Sequence, residues 1–255
     1  MTTAKSILIT GASSGIGAAL AESYAGSGVR LGLSGRDRAR LDAVAEACRR
    51  RGATVRAALV DVTDRAAMAD WIAGADRDAP LDLVIANAGI SAGRGGGHGV
   101  EGAEQTEAIL AVNLGGALNT VFPAIPLMQA RHRGAIAIMS SLAGFRGYPG
   151  APAYAVSKAA VRVWGEALRG ALHGDGITVS VICPGFVKTR MTALNRFPMP
   201  MLMDADRAAR IIRRGLDRRR ARIAFPWPMY LAAWLMGALP PAATDPITRR
   251  LPDKE

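Results

Sequence analysis

The sequence predicts an α/β fold: a doubly wound parallel sheet with helices on both faces. Three observations carry that expectation. Short runs rich in Ile, Leu and Val recur up to about residue 190 without polar alternation, as in strands buried on both sides. Segments of helical period lie between them, so successive strands run parallel through right-handed crossovers. The first run ends in the glycine turn Gly11-Ala12-Ser13-Ser14-Gly15-Ile16-Gly17, and the alanine-rich stretch 18–25 follows at once.

That first unit organises the rest. Strand, tight turn and helix in this order surround one point with backbone N–H groups and the positive end of a helix dipole. Such a point suits an anion, above all the pyrophosphate of a dinucleotide. Gly11 permits the turn, Gly15 lets the backbone approach the phosphates, and Gly17 lets the helix pack closely on the sheet. A plain strand-to-helix connection uses glycines in the same way, so the turn gains meaning only from residues further along the chain.

A second strand is expected over 29–34, closed by Gly35-Arg36-Asp37. Leu41, Val44, Ala45 and Cys48 then repeat at helical spacing within 38–51. A third strand, 54–60, ends at Asp61-Val62; a short helix over 64–72 leads to a fourth strand, 81–86, ended by Asn87-Ala88-Gly89. The stretch 91–102 contains Gly95-Gly96-Gly97 and is expected to be a mobile loop. A long helix carrying Ile109, Val112 and Asn113 precedes the fifth strand (134–141), a helix (153–172) and the sixth strand (177–182). With no repeat or linker in view, residues 1–255 are expected to form one domain.

Composition narrows the function classes. Half of the 255 residues are apolar and 21% are charged, which is globular usage. Cys48 and Cys183 are far apart and lack metal or redox spacing, so they read as buried thiols of a reducing compartment, and no metal is expected. The first five residues are too short and polar for a signal peptide, which points to the cytoplasm. The net charge is +11, concentrated over 204–222, where eight arginines (Arg207, Arg210, Arg213, Arg214, Arg218, Arg219, Arg220, Arg222) face Asp204, Asp206 and Asp217. No aromatic interleaving or nucleic-acid module accompanies this charge, so no nucleic acid is expected. A solvated face is the default reading, and anionic lipid the exception.

Chemistry concentrates in Tyr154-Ala155-Val156-Ser157-Lys158. On a helix, positions i and i+4 share a face, so the Lys158 ammonium lies beside the Tyr154 phenol. A free tyrosine titrates near about pH 10, and a neighbouring cation favours the phenolate. Ser141 lies at the carboxyl end of strand five, as Gly11 and Asn87 lie at the ends of strands one and four. In an open α/β sheet, ligands bind at those ends. A serine hydroxyl there can hydrogen-bond a substrate oxygen while Tyr154 exchanges its proton; Ser140 better fits a serine that merely ends the strand.

Taken together, Thr10-Gly11-x-x-x-Gly15-x-Gly17, Asp61-Val62, Asn87-Ala88-Gly89, Asn113, Ser140-Ser141-x-Ala143-Gly144, Tyr154-x-x-x-Lys158 and Pro184-Gly185-x-x-x-Thr189 resemble a short-chain dehydrogenase/reductase of the compact kind. The order and spacing of the family hold from residue 6 to about 190; Ala86 departs from it, where members often carry asparagine. The resemblance implies a Rossmann-type sheet in the strand order 3-2-1-4-5-6-7. It makes Tyr154 the general acid/base, with Ser141 holding the substrate oxygen. Lys158 depresses the tyrosine pKa and binds the nicotinamide ribose, and Asn113 holds a water of the proton relay behind it. For the cofactor it implies Gly11, Ser13, Ser14, Gly15, Ile16 and Gly17 around the pyrophosphate and Asp61 with Val62 at the adenine. Asn87, Ala88 and Gly89 then flank the adenosine ribose, and Pro184, Gly185, Val187 and Thr189 grip the carboxamide and phosphates. It further implies a homodimer or homotetramer, with the helix after Tyr154 as interface.

The end of strand two selects the cofactor. An acid there accepts the 2′-hydroxyl of NAD, whereas arginine suits the 2′-phosphate of NADP. Gly35 stands at the acid's place and Arg36 follows, with Arg38 near, so NADP(H) is expected over NAD(H). Past Thr189, residues 190–255 are expected to form a substrate lid and a C-terminal apolar and basic segment. Met191, Phe197, Met199, Met201, Leu202 and Met203 suit an irregular apolar ligand, hence a hydrophobic ketone, aldehyde or alcohol, though a loop packed on the core would use them equally. The apolar helix expected over 229–239 is too short to span a bilayer, which needs about 20 residues. It is either buried, part of a subunit interface or, through 226–250, a peripheral contact with the inner face of a membrane. A non-catalytic NADP-binding sensor on the same fold is the alternative function; the presence of Asn113, Ser141, Tyr154 and Lys158 together speaks against it.

Overall fold

The computed structural model describes residues 4–92 and 101–248; the glycine-rich centre of the expected loop, 93–100, lies outside the described residues. The chain alternates as expected. Strand β1 (Ser6–Thr10) leads to α1 (Gly15–Tyr24), β2 (Arg30–Gly35) to α2 (Arg38–Arg50), and β3 (Thr54–Leu59) to α3 (Arg65–Asp78). Next come β4 (Leu83–Ala86), α4 (Ala103–Leu110), a π-helical turn (Ala111–Gly115), α5 (Gly116–Val121) and α6 (Ala124–Gln129). Then follow β5 (Gly134–Met139), α7 (Pro152–Ala171), β6 (Ile177–Pro184), α8 (Arg190–Ala193), α9 (Ala205–Asp217), β7 (Arg222–Phe225), α10 (Trp227–Ala238) and α11 (Pro241–Thr248).

All seven strands are parallel, in the order β3-β2-β1-β4-β5-β6-β7, the order the resemblance implies. The chain reverses direction across the sheet at β1, which pairs with β2 on one side and β4 on the other. The crossovers on either side of β1 therefore lie on opposite faces, and a crevice opens at its carboxyl end. Every residue of β1 and of β4 is buried, as their uninterrupted apolar runs require. One core layer joins Leu20, Leu41, Cys48 and Ile212 on the face of α1, α2 and α9. The other joins Met68, Ile72, Val121, Met128 and Val161 beneath α3, α5, α6 and α7.

Three sequence expectations change. The helix expected over 64–72 runs on to Asp78, because Trp71, Ile72 and Ala75 keep burying the same face. The long helix through Asn113 is interrupted by a π turn at Asn113 itself. This run, 103–129, is long and apolar enough for a bilayer by composition, yet it packs against β4 and α7 within the core. The methionine-rich stretch divides: Met203 is 7% exposed, bridges to Val187 and joins the core, whereas Met191 faces the crevice and Met201 is exposed.

The arginine-rich and apolar stretches of the C-terminal region form separate helices. Helix α9 buries Ala208, Ala209, Ile212 and Gly215 on α1 and turns Arg207, Arg210 and Arg214 to solvent. Helix α10 packs instead through Met229, Tyr230 and Ala233 over Leu142, Val181 and Cys183. Ile182 belongs to the α9 side and its neighbours Val181 and Cys183 to the α10 side, so the two helices lie on opposite faces of the sheet. Sequence adjacency joins them; the pleat separates them.

Candidate active site

The glycine turn after β1 is held by the end of β4. Thr10 Oγ1 accepts the backbone N–H of Asn87 (3.1 Å) and of Ala88 (3.2 Å), and Asn87 Nδ2 donates to Thr10 O (2.9 Å) and Gly11 O (3.2 Å). Gly11 has φ +64 and a Cβ on it would lie 2.8 Å from Ala88 Cα. Gly15 has φ +59, and a Cβ on Gly17 would lie 2.3 Å from Gly11 O and 2.5 Å from Asn87 Nδ2. The turn is thus folded on itself so tightly that side chains are excluded. Asn87, expected beside a ribose, spends its amide fastening this turn.

What the turn offers is bare backbone at a helix end. Asp37 and Asp64 cap α2 and α3 with their side chains, but Ser14 makes no side-chain cap on α1. The first-turn amides of α1 face a cavity of about 280 Å³ lined by Gly11, Ser13, Ser14, Gly15, Ile16 and Gly17. A cradle that a Cβ would fill, at an uncapped helix N-terminus, fits a dinucleotide pyrophosphate.

At the end of β2, Arg36 is exposed and lines the same cavity. Gly35 is buried, and a Cβ there would stand 3.1 Å from the Ser13 Oγ, so the place where an acid would sit is closed by Ser13. Arg38, expected to assist, is exposed and does not line the cavity; Arg40, two residues further along, does. Arg40 pairs with Asp37 at 2.9 Å while its Nε is buried with no hydrogen-bond partner among the described residues. Only the helical offset separates Arg38 from Arg40, a distinction that the charge pattern alone does not make. Asp61 and Val62 border this end; the backbone N–H of Thr63 holds the Asp61 carboxyl below its usual range, and Arg36 adds to this.

At the other end stand the polar groups of β5 and α7. Ser141 and Tyr154 are joined by a side-chain hydrogen bond, and Ser141 Oγ also accepts the N–H of Ala143 (3.1 Å). Ser140, by contrast, is 1% exposed and donates to Lys158 O at 2.7 Å, the structural part that its position suggested. Lys158 Nζ donates to Met139 O (2.9 Å) and lies 5.7 Å from the centre of the Tyr154 ring. Gly144 makes this packing possible, since a Cβ on it would meet Lys158 backbone at 2.7 Å.

Burial pushes the Lys158 ammonium down to about 8, and burial pushes the Tyr154 phenol up, opposed by its hydrogen bond with Ser141. The expected depression of the phenol by Lys158 is therefore not what dominates: desolvation weighs on both groups, against opposite charged forms. Asn113 lies behind them. Its Oδ1 accepts Ile90 N–H (2.7 Å), its Nδ2 donates to Ile90 O (2.9 Å) and Ser157 Oγ (3.0 Å), and it is 1% exposed. A Cβ on Gly89 would fall between Asn113 Oδ1 at 3.1 Å and Lys158 Nζ at 3.3 Å. The two side chains thus face each other across a glycine.

One cleft gathers nearly all the expected residues: besides those already placed, Ala88, Gly89, Pro184, Gly185, Val187 and Thr189 line it, while Asn113 stands behind the wall and Arg38 outside it. Thr189 caps α8 through a capping box with Thr192, which brings Arg190 and Met191 to the rim. Arg40, Ile90, Met139 and Thr192 line it without having been singled out as ligand-binding by any motif. Among the described residues, no group of His, Cys, Asp and Glu is placed to hold a metal.

Fold and site together define a dinucleotide-binding α/β enzyme with a Ser-Tyr-Lys centre. The family described as short chain dehydrogenase matches residues 5–197, and this chain belongs to it. It is an oxidoreductase acting on the CH–OH/C=O couple. An uncharacterized oxidoreductase of Myxococcus xanthus is 39% identical over 250 residues, covering 97% of each chain. A ketoacyl reductase of Nostoc is 32% identical over 202 residues, 78% of this chain and 70% of the other. A short-chain dehydrogenase from Sphingobium yanoikuyae, solved in complex with NADPH, superposes with a TM-score of 0.79 at 29% identity, covering 98% of this chain and 97% of the other. A 3-ketoacyl-ACP reductase from Sinorhizobium meliloti gives 0.77 at 29% identity, covering 89% and 99%.

Proposed function

We propose that the protein, acting as one catalytic unit over 1–255, uses NADP(H) to interconvert a hydrophobic ketone or aldehyde and its alcohol. The observation that carries this reading is the hydrogen-bonded Ser141–Tyr154 pair beside Lys158, in the cleft whose far end holds Arg36 and Arg40. Bound at the turn, NADPH supplies the hydride. Tyr154 gives its phenolic proton to the carbonyl oxygen in reduction and takes it back in oxidation. Ser141 orients that oxygen through its hydroxyl. Lys158 holds positive charge near the phenol and reaches the ribose side of the cleft, with Asn113 behind it. The turn 11–17 holds the phosphates, Asp61 and Val62 the adenine, and Arg36 with Arg40 the 2′-phosphate. Met191 at the rim, and the ketoacyl reductases among the relatives, support an apolar, acyl-like or steroid-like substrate.

The test is turnover with NADPH and NADH against bulky apolar ketones, acyl and steroid types included. NADPH is expected to win, and Arg36→Asp should reverse the preference, with a loss of about 10- to 100-fold in kcat/KM for NADPH from removing a phosphate partner and adding a like charge. Unchanged preference in that variant would refute the cofactor assignment.

Two partner readings belong with it. A homodimer or homotetramer through α7 is supported by exposed Val156, Val163 and nearby Phe122 on this helix face; a monomer by light scattering would end it. A peripheral membrane contact is supported by α10. No charged residue lies between Arg222 and Asp245, and Trp227 and Trp234 are 71% and 47% exposed with Leu231, Leu235 and Leu239 beside them. The protein is expected to float with anionic vesicles, and Trp227→Glu with Trp234→Glu to stay behind; wild-type protein left at the bottom of the gradient would exclude the contact.

A further inference from the structure

We propose that Glu101 is a positioning residue for the acid/base centre, capping the catalytic helix α7 from a distant part of the chain; this rests on the Tyr154 mechanism above. Helix α7 starts badly by its own sequence. Its N-cap is Ala151, among the poorest caps, with no side-chain cap bond. Pro152 follows and brings no N–H. Ala155 N–H closes on Ala151 O at 3.0 Å, which leaves the amides of Ala153 and Tyr154 beyond the reach of the helix's own ladder. Helix ends of this kind fray. Here the first turn cannot be allowed to fray, because Tyr154 is in it.

Glu101 supplies what the local sequence lacks. It lies immediately before the N-cap Gly102 of α4, and its Oε2 accepts the Ala153 N–H at 2.5 Å from 52 positions upstream. The bond is charge-assisted and sits at the positive end of the α7 dipole, the two circumstances in which a carboxylate helps a helix most. The residue is 8% exposed, and its other oxygen, Oε1, is buried with no hydrogen-bond partner among the described residues. Ala151 is itself 3% exposed, so a polar cap placed at that position would be buried as well. An expensive cap, brought from another element and attached one residue before Tyr154, is what accuracy of placement requires, since a displacement of about 1 Å at a reacting group lowers rates by about 100-fold.

Two variants separate reach from charge. Glu101→Asp keeps the charge and withdraws the oxygen by one methylene; Glu101→Gln keeps the reach and removes the charge. With the best ketone of the panel and NADPH, Glu101→Asp should lower kcat by about 10-fold or more with KM for NADPH within about twofold, because the glycine turn is untouched. Glu101→Gln should retain most of kcat. Hydrogen exchange at the Ala153 and Tyr154 amides should accelerate by about 10-fold or more in Glu101→Asp and little in Glu101→Gln, a readout independent of turnover. Unchanged exchange and kcat in Glu101→Asp would overturn the proposal. So would the reverse order of the two variants, which would mark a purely electrostatic role, and so would faster exchange with undiminished kcat, which would mark a cap that only stabilises. A wild-type protein inactive on every ketone refutes the proposed substrate class instead, while the exchange result still judges the cap.

Discussion

Tyr154→Phe is expected to lower kcat for carbonyl reduction by about 100- to 10,000-fold, the span of a lost general acid, while leaving NADPH affinity within a few-fold. Phenylalanine fills the same volume on the first turn of α7, so the loss isolates the proton. The glycine turn and Arg36 lie at the other end of the cleft and are untouched. Wild-type pH dependence should carry the same signature. On the mechanism proposed above, oxidation needs the phenolate, and burial holds the phenol above its ordinary value. Alcohol oxidation should therefore climb through the alkaline range, while reduction, which needs the protonated phenol, persists until that range is reached. Lys158, depressed to about 8 by burial, loses its charge as pH rises past that value, and with it part of its support for the phenolate. Stopped-flow or steady-state rates of both directions from neutral into alkaline pH read all of this. A Tyr154→Phe enzyme with native kcat would remove Tyr154 from the chemistry.

The fold was legible because most of the apolar runs were uninterrupted and each was followed by a turn or helix signal; edge strand β3, which carries Arg56 and buries none of its residues, is the exception. β1 and β4 are buried throughout, and sequence shows burial on both faces as a run without alternation. The cleft that gathers the candidate site was legible for a related reason: residues at the carboxyl ends of β1, β4, β5 and β6 must converge once the strands are parallel. What escaped was set by packing between elements distant in sequence. Arg40 instead of Arg38 reaches the cleft because α2 begins at Arg38 and its first turn rotates Arg40 inward. Met203 is core because its backbone pairs with Phe186 and Lys188, which no pattern of methionines announces. The two C-terminal helices part company because β6 alternates its side chains between faces. The cap from Glu101 is invisible for the same reason: its partner is 52 residues away.

Gly17→Ala should do the largest structural harm of any methyl-sized change at the site. The new Cβ would lie 2.3 Å from Gly11 O, which is backbone, and 2.5 Å from Asn87 Nδ2, which is tied to Thr10 O and Gly11 O. Neither neighbour is the free end of a flexible chain, so the turn itself must move. Overpacking of this kind costs about 1–3 kcal/mol of stability. It also displaces the amides at the start of α1, and NADPH affinity should fall by about 100-fold, an amount near 2.7 kcal/mol. Helix propensity alone predicts the opposite sign, since alanine is favoured over glycine inside a helix by up to about 1 kcal/mol. Gly26 serves as the control: it has no heavy atom within 4 Å of its would-be Cβ, so Gly26→Ala should be close to neutral in both readouts. Thermal melts with and without NADPH, and a fluorescence titration, separate the cases. Were Gly17→Ala to melt at or above the wild-type temperature and bind NADPH normally, the contact of Gly17 with the turn would carry neither stability nor cofactor, and the tightness of the 11–17 cradle would have no role in binding.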